Sequence, residues 1–488
     1  MSTSAVSSPQ GDPGVLKGKR PFGMRDRVGY MFGDFGNDFT FILQMLFFML
    51  FYTKVVGINP AHVGLLFGAA RLIDAFTDVG MGRLVDTAKP TRAGKFRPWI
   101  ARGAIPVALA SALMYQSFIA GWDSYGARLA WMCVTYVIWG SITYTMINIP
   151  YGSMASVISP FPKHRAELSV WRSTGAQLAI LALSVGLPYI VYVEADGQAT
   201  LSGSRMTMAA IVCSVIAVVW YALCYLLVTE RVEVPAKVSG ESMSFGQLFG
   251  SLVKSRALMG IVLAALLLLI SNFLVSGMLG YLMLDYFNDR SLQSVAQFAA
   301  LLPAFSLILL APWLGTKFGK RETGVASMLI GGLVMIGTYF LNLQGAPKTW
   351  VVLYAIAQFC ISIFNFLVWA FITDVIDAEE VRTGERNDGT IYAVYSWARK
   401  MGQAAAGLLT GVLLSAVGYQ SGKAGETIVQ SQETLNGIWM FSTLIPGLML
   451  VAVALALQFV YPLSKKVVEQ NVAFLQAKRE KQEAESLA

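Results

Sequence analysis

The chain has 488 residues, of which 55% are hydrophobic and only 14% charged; its mean hydropathy is +0.57 and its net charge +8. A soluble protein carries about 25% charged residues, so the composition excludes an ordinary soluble enzyme and points to a polytopic α-helical membrane protein. The positive balance is not a nucleic-acid footprint, because the basic residues sit in short stretches between apolar runs.

Apolar runs long enough to cross about 30 Å of hydrocarbon as helices predict twelve spans, at 28–52, 61–83, 98–119, 129–150, 167–193, 207–229, 257–283, 293–316, 323–343, 350–375, 388–418 and 437–461. They divide the chain into an N-terminal segment 1–27, a six-helix bundle 28–229, a polar central loop 230–254, a second six-helix bundle 255–461 and a tail 462–488. Two halves of six spans around a central cavity are a layout of secondary transporters. The polar N-terminus shows no cleavable apolar segment, so the first span is expected to be retained.

Lys54, Arg128, Arg205, Arg290, Lys348 and Lys423 fall on one side of the predicted array, and the other loop lysines and arginines on the opposite side. This bias puts both termini in the cytoplasm, with the protein in the cytoplasmic (inner) membrane.

Span 1 opens YMFGDFGNDFTF, placing Asp34 and Asp38 on one helical face. Asp34 is near the helix start and is expected to be structural or coupling; Asp38, deeper, is the better candidate for holding a ligand. Span 2 contains RLIDAFTDVGMGRLVD. Arg71, Asp74 and Asp78 lie within about 60° of one another on a helix and form one interior polar stripe. A charge at the bilayer centre costs at least about 2.5–3.5 kcal/mol. Arg71 offsets one carboxylate, and the second, unpaired, is a seat for a small cation or a proton. The bland alternative is a buried ion-pair network that fixes helix packing.

The loop GRLVDTAKPTRAGKFRPW after span 2 is echoed by PWLGTKFGKRETG after span 8, each combining glycine and cations at a tight turn. Topology determination and gating are equally good readings of those cations. Span 4 ends ITYTMINIPYGSMAS, with Thr143, Thr145 and Asn148 as neutral polar groups; Pro150 with Gly152 predicts a helix break that frees backbone carbonyls. Span 5 carries Trp171 and Arg172, span 10 carries Asn365, Trp369, Asp374 and Asp377, and span 11 carries Tyr395, Trp397, Arg399 and Lys400. Taken together these supply aromatic faces for an apolar sugar face, with carboxylates, amides and cations for hydroxyls. The tail from about 464 reads as a charged helix on the membrane surface or in solvent.

Cys133, Cys213, Cys224 and Cys360 form no CxxC or Cys/His cluster, and His62 and His164 are far apart. Neither a disulfide nor a metal site is expected, and no cofactor. No P-loop is present to power transport with a nucleotide.

As a set, GDFGNDF, ARLIDAFTD followed by GKFRPW, TYTMINIPYGS, and DVIDAEE followed by YSWARKMGQ resemble the glycoside–pentoside–hexuronide:cation symporters, the melibiose-carrier family of the major facilitator superfamily. The resemblance spans the first eleven predicted helices in order. It implies a cation site at Asp74, Asp78 and Thr145, tuned at Thr77, where the melibiose carrier has asparagine. It implies sugar contacts at Asp38, Arg172 and Lys400. Asn148 stands where the melibiose carrier has a second sugar-binding aspartate, and Gly152 replaces a nearby tryptophan. The NIPYGS version is closer to the xyloside, isoprimeverose and glucuronide branches, and the cargo stays open between neutral and acidic glycosides.

The expected activity is therefore sugar import with Na+ or H+ by alternating access, in a monomer set in the bilayer. No bond is made or broken, so the protein is not expected to be an enzyme. The competing readings are a lysolipid carrier on the same fold and a membrane sensor that binds without flux.

Overall fold

The structure, a computed structural model, describes residues 19–195, 197–232, 255–341, 343–384, 388–423, 426 and 428–487. Most of the predicted N-terminal segment and of the central loop lies outside the described residues.

In hydrocarbon every backbone N–H and C=O must be satisfied within its own segment, and long helices meet that demand. They are α1 (Met24–Lys54), α2 (Pro60–Thr87), α3 (Arg97–Met114), α4 (Tyr125–Ile158), α5 (Pro162–Val191), α6 (Gly203–Leu227), α7 (Arg256–Tyr286), α8 (Leu292–Phe318), α9 (Lys320–Phe340), α10 (Pro347–Thr383), α11 (Asp388–Ala416) and α12 (Gln432–Val460). These are the twelve predicted spans with shifted ends. Among the described residues nine helices are apolar enough by composition alone to cross a membrane. Helices α2 and α11 are not among them, and they carry the charged stripe and its partner. A further helix, α13 (Lys465–Leu487), follows as the tail's charge pattern predicts.

Several starts are legible as caps. Asn59 accepts from the Ala61 amide with Pro60 in the first helical position, and Ser124, Ser202, Ser255 and Ser431 cap α4, α6, α7 and α12. The predicted break at Pro150 does not occur. Helix α4 runs on to Ile158, and its irregular part is a π-helical turn at Ile138–Tyr144, ahead of the proline. One missing N–H is tolerated where neighbouring helices hold the segment.

In the first half α1 packs on α5 and α6, and α3 on α4 and α6; in the second, α7 packs on α11 and α12, and α9 on α10 and α12. The halves meet where α2 packs on α11, α5 on α8 and α1 on α7. The first two contacts exchange when the halves are swapped, as expected of two six-helix units related by a pseudo-twofold.

The end away from the termini is sewn shut between the halves. Lys54 Nζ lies 2.6 Å from Asp285 Oδ1, Thr53 Oγ1 lies 2.7 Å from the Tyr281 hydroxyl, and the Ser421 hydroxyl donates to the Ile58 carbonyl at 2.8 Å. A hairpin of β1 (Tyr192–Ala195) and β2 (Gln198–Leu201), absent from the sequence expectations, joins this seam; the Ala199 amide donates to Asn288 Oδ1 at 2.7 Å. Lys400, in the middle of α11 and directed at α2, keeps 63% of its side chain exposed.

The first residues of the predicted central loop are not exposed. Glu230 and Arg231 are buried. The Glu230 carboxylate accepts from the backbone amides of Lys95, Phe96 and Arg97 at 2.6, 2.9 and 2.7 Å, so the GKFRPW loop is anchored by a residue beyond α6. Asp26, fully buried, accepts from Arg20, Arg231, the Gly23 amide and the Thr229 amide.

Candidate functional site

Helix α2 presents its stripe to α4, as its spacing predicts. Arg71 Nη1 lies 3.1 Å from Asp74 Oδ2, and the buried Ser141 hydroxyl donates to Asp74 Oδ1 at 2.5 Å. The Thr145 hydroxyl lies 3.2 Å from Asp78 Oδ1 and also reaches the Gly140 carbonyl five residues back. Ser141 lies within the π-helical turn and Thr145 follows it directly, so the turn aims both hydroxyls at the two aspartates; such turns are frequent at functional sites. Thr77 is on the same helix, but its hydroxyl donates to the Ile73 and Asp74 carbonyls of α2. Thr143 bonds the Trp139 carbonyl of its own helix.

Two expectations are corrected. Asp78 is not the unpaired carboxylate of the stripe: Lys400 Nζ, on α11 of the opposite half, lies 2.9 Å from its Oδ2. The stripe carries two carboxylates and two cations, Arg71 and Lys400, so it needs no outside ion to be neutral. Lys400, expected at the sugar, stands instead at the aspartates. The reason is geometric: α2 and α11 approach closely at Gly64 and Gly411, and further along both helices the four-carbon stem of Lys400 spans the gap to Asp78.

On α1, Arg172 pairs with Asp34, Nε to Oδ1 at 3.0 Å, with its guanidinium over the Tyr151 ring at 5.3 Å. Tyr151 stacks on Tyr30 at 4.7 Å and donates to the Tyr30 carbonyl at 2.6 Å. Asp38, one turn deeper and half-buried, has no hydrogen-bond donor among the described residues. Tyr144 packs between Phe41 of α1 and Trp139 of α4.

From the second half, the exposed Trp369 meets Tyr395 edge to face at 5.8 Å, and the Arg399 guanidinium lies 6.0 Å from the Trp369 ring centre. Asn365 is exposed one turn away on α10, and Trp397 packs partly buried against the core. Asn148 is half-buried, one turn beyond Thr145 on α4. Asp374 is drawn elsewhere: Lys320 Nζ lies 2.6 Å from its Oδ1, an ion pair between α9 and α10. Asp377 lies three residues further along α10, beyond Asp374 and away from Trp369.

Sequence reasoning missed Ser141, and it missed Asn37. The Tyr221 hydroxyl donates to Asn37 Oδ1 at 2.9 Å, while the buried Asn37 Nδ2 has no partner among the described residues. Asn37 lies inside a motif quoted above and Ser141 directly before one, but a serine or asparagine on a span carries no periodicity that distinguishes it. Between the halves, beyond the stripe, a cavity of about 70 Å3 is lined by Gln44, Arg71, Gln403 and Thr410 among apolar side chains. Among the described residues no group of three or more His, Cys, Asp or Glu could hold a metal ion.

With this arrangement in view, the similarities to known proteins are consistent. The chain is 29% identical to the "Glucuronide carrier protein homolog" of Escherichia coli, over 94% of its length and 97% of that protein's. It is 29% identical to the "Isoprimeverose transporter" of Lactiplantibacillus pentosus, over 93% and 92%, and to a "Putative sulfoquinovose importer" of Salmonella typhimurium, over 95% and 93%. The nucleoside transporter NupG shares the fold, with a TM-score of 0.60 at 12% identity over 89% of this chain and all of that one. The family described as MFS/sugar transport protein matches residues 29–465; the chain belongs to that family, and is a membrane transporter of the major facilitator fold rather than an enzyme.

Proposed function

We propose that the protein is a cation-coupled importer of glycosides, with Asp74, Asp78, Ser141 and Thr145 receiving Na+ or H+ and Asp38, Asn148, Arg172, Asn365, Trp369 and Tyr395 facing the sugar. The observation that carries this reading is the carboxylate pair of α2, met by two hydroxyls of α4 and open to the space between the halves. Hydroxyl and carboxylate oxygens are the ligands a hard cation prefers. The Thr77 hydroxyl, turned to its own helix, is a neighbour rather than a ligand.

Relatives named for glucuronide and sulfoquinovose support a cargo with an anionic group. So does Arg399, which stands over Trp369 with no carboxylate paired to it among the described residues. In this reading the sugar stacks on Trp369, with its anion at Arg399 and hydroxyls at Asp38. The carrier acts as a monomer in the cytoplasmic membrane with both termini in the cytoplasm, a placement supported by the basic loops at the termini end.

Alternating access follows from the two-halved fold. Release of the seam around Lys54 and Asp285 opens the side away from the termini. Cargo and cation bound in one site raise each other's affinity, typically by 1–3 kcal/mol. The test is uptake of labelled glucuronide, sulfoquinovose, xyloside and isoprimeverose by proteoliposomes under an imposed Na+ or pH gradient. Concentrative uptake of at least one sugar is expected, abolished by Asp78→Asn; gradient-driven uptake that survives both Asp74→Asn and Asp78→Asn defeats the coupling assignment.

A further inference from the structure

Asp78 is shared between the halves. One of its oxygens takes the Thr145 hydroxyl of α4 and the other the ammonium of Lys400 on α11. Asp74, by contrast, is satisfied within the first half by Arg71 and Ser141. Because two cations already balance two carboxylates, an arriving Na+ or H+ makes the site net positive unless one resident cation leaves. Arg71 is held on the same helix as its partner, three residues away. Lys400 belongs to the other half, has 63% of its side chain exposed, and sits on a flexible stem. An ion pair so exposed contributes little, so Lys400 is the cation that leaves.

We propose that Lys400 is a tethered substitute for the coupling cation: it occupies Asp78 when the site is empty and is expelled when the cation binds. This rests on the symport reading above and adds to it a tie between the halves that the cation itself unfastens. The expelled ammonium stays in the space that holds Arg172 and Arg399, where it becomes available to an anionic group on the cargo. When cation and cargo depart, Lys400 returns and the empty carrier is again neutral in its oil-facing interior. No uncompensated carboxylate then opposes the return step.

The decisive experiment needs no substitution of the lysine. Amine reactivity of Lys400 is measured by mass spectrometry after brief acetylation of the full-length protein in detergent, with NaCl or choline chloride at equal ionic strength and constant pH. Labelling is expected to rise at least threefold with saturating Na+, and to be at least threefold above wild type in Asp78→Asn without sodium, since that side chain mimics the protonated carboxyl. In parallel, tryptophan-fluorescence titration of Lys400→Gln, and of Lys400→Met as a second folded variant, is expected to show threefold to tenfold tighter Na+ binding, with Lys400→Arg within threefold of wild type. Lys400 reactivity in Asp78→Asn equal to wild type overturns the proposal whichever ion is coupled. Unchanged or weaker Na+ binding in folded Lys400→Gln overturns it for sodium. Absence of gradient-driven uptake by the wild type defeats the symport reading instead, whatever the lysine does.

Discussion

Arg172 Nε lies 3.0 Å from Asp34 Oδ1, and Asp38, one turn along the same face of α1, is left without a donor among the described residues. The two aspartates thus have opposite roles although their sequence contexts are alike. Asp34 is 8% exposed and holds the guanidinium; Asp38 is the group with free acceptor capacity. Removing Arg172 strands the Asp34 charge. A fully buried pair broken this way costs 3–5 kcal/mol; Arg172 is 41% exposed, so Arg172→Gln is expected to cost about 1–3 kcal/mol. The fall in melting temperature should be smaller in Asp34→Asn/Arg172→Gln than in Arg172→Gln alone. Asp38→Asn should leave the melting temperature nearly unchanged and remove sugar-induced stabilisation.

At the closed end Lys54 and Asp285 are 11% and 7% exposed, and the Tyr419 hydroxyl takes the second Asp285 oxygen at 3.1 Å. Lys54→Met leaves that carboxylate with Tyr419 alone in a seam between halves. Separation of the seam restores water to Asp285, so the substitution favours the conformation open at this end. A shift of about 2 kcal/mol, roughly thirtyfold in population, is expected. It is read as faster reaction of a cysteine at Gln198, which lines the cavity beside the pair, with a membrane-impermeant maleimide. An unchanged rate means the pair does not hold the seam.

The stripe on α2 was legible because its spacing is local: 71, 74 and 78 share a face on any helix. Its partners were not, because Lys400 lies 322 residues from Asp78 and Arg172 lies 138 from Asp34. Neither distance leaves a periodicity to read, so a carboxylate with a distant partner reads as one with none. The family resemblance supplied residue types at the site but set Lys400 at the sugar, not at Asp78. Pro150 was over-read for the converse reason: the local rule of a lost hydrogen bond is real, but packing by neighbouring helices outweighs it. The buried acids Asp26 and Glu230 lie beside the apolar runs, and nothing in their local sequence marks them as buried.

Glu230 gives the third prediction. Its carboxylate serves three backbone amides at the start of α3, and Gly94, at φ +119°, lies so close that an added Cβ would stand 2.4 Å from its carboxyl carbon. Glu230→Ala strands three N–H groups, two of them buried, and about 2–4 kcal/mol of stability is expected to go. Gly94→Ala should act on the same contact, by the strained backbone and by displacing the carboxylate. The double variant should then melt little below the lower of the two singles; full additivity would show that the loop is held by something else.

The last prediction concerns the α2–α11 crossing. Gly64 and Gly411 face one another between the halves: a Cβ on Gly411 would meet the Pro60 carbonyl oxygen at 2.2 Å and the Gly64 Cα at 2.8 Å. Those are backbone atoms, so no rotamer change relieves the clash and the helices must move apart. The crossing adjoins the sewn seam, since Pro60 lies two residues after Ile58, which accepts from Ser421. Gly411→Ala is therefore expected to hinder closure of that end and to lower the rate of gradient-driven uptake at least tenfold, while circular dichroism shows unchanged helix content. Gly186→Ala is the matched control: in α5 an added Cβ there meets nothing within 4 Å, and alanine is the better helix former by about 1 kcal/mol. Equal uptake by the two variants would mean that the close approach of α2 and α11 is not needed for the transport cycle.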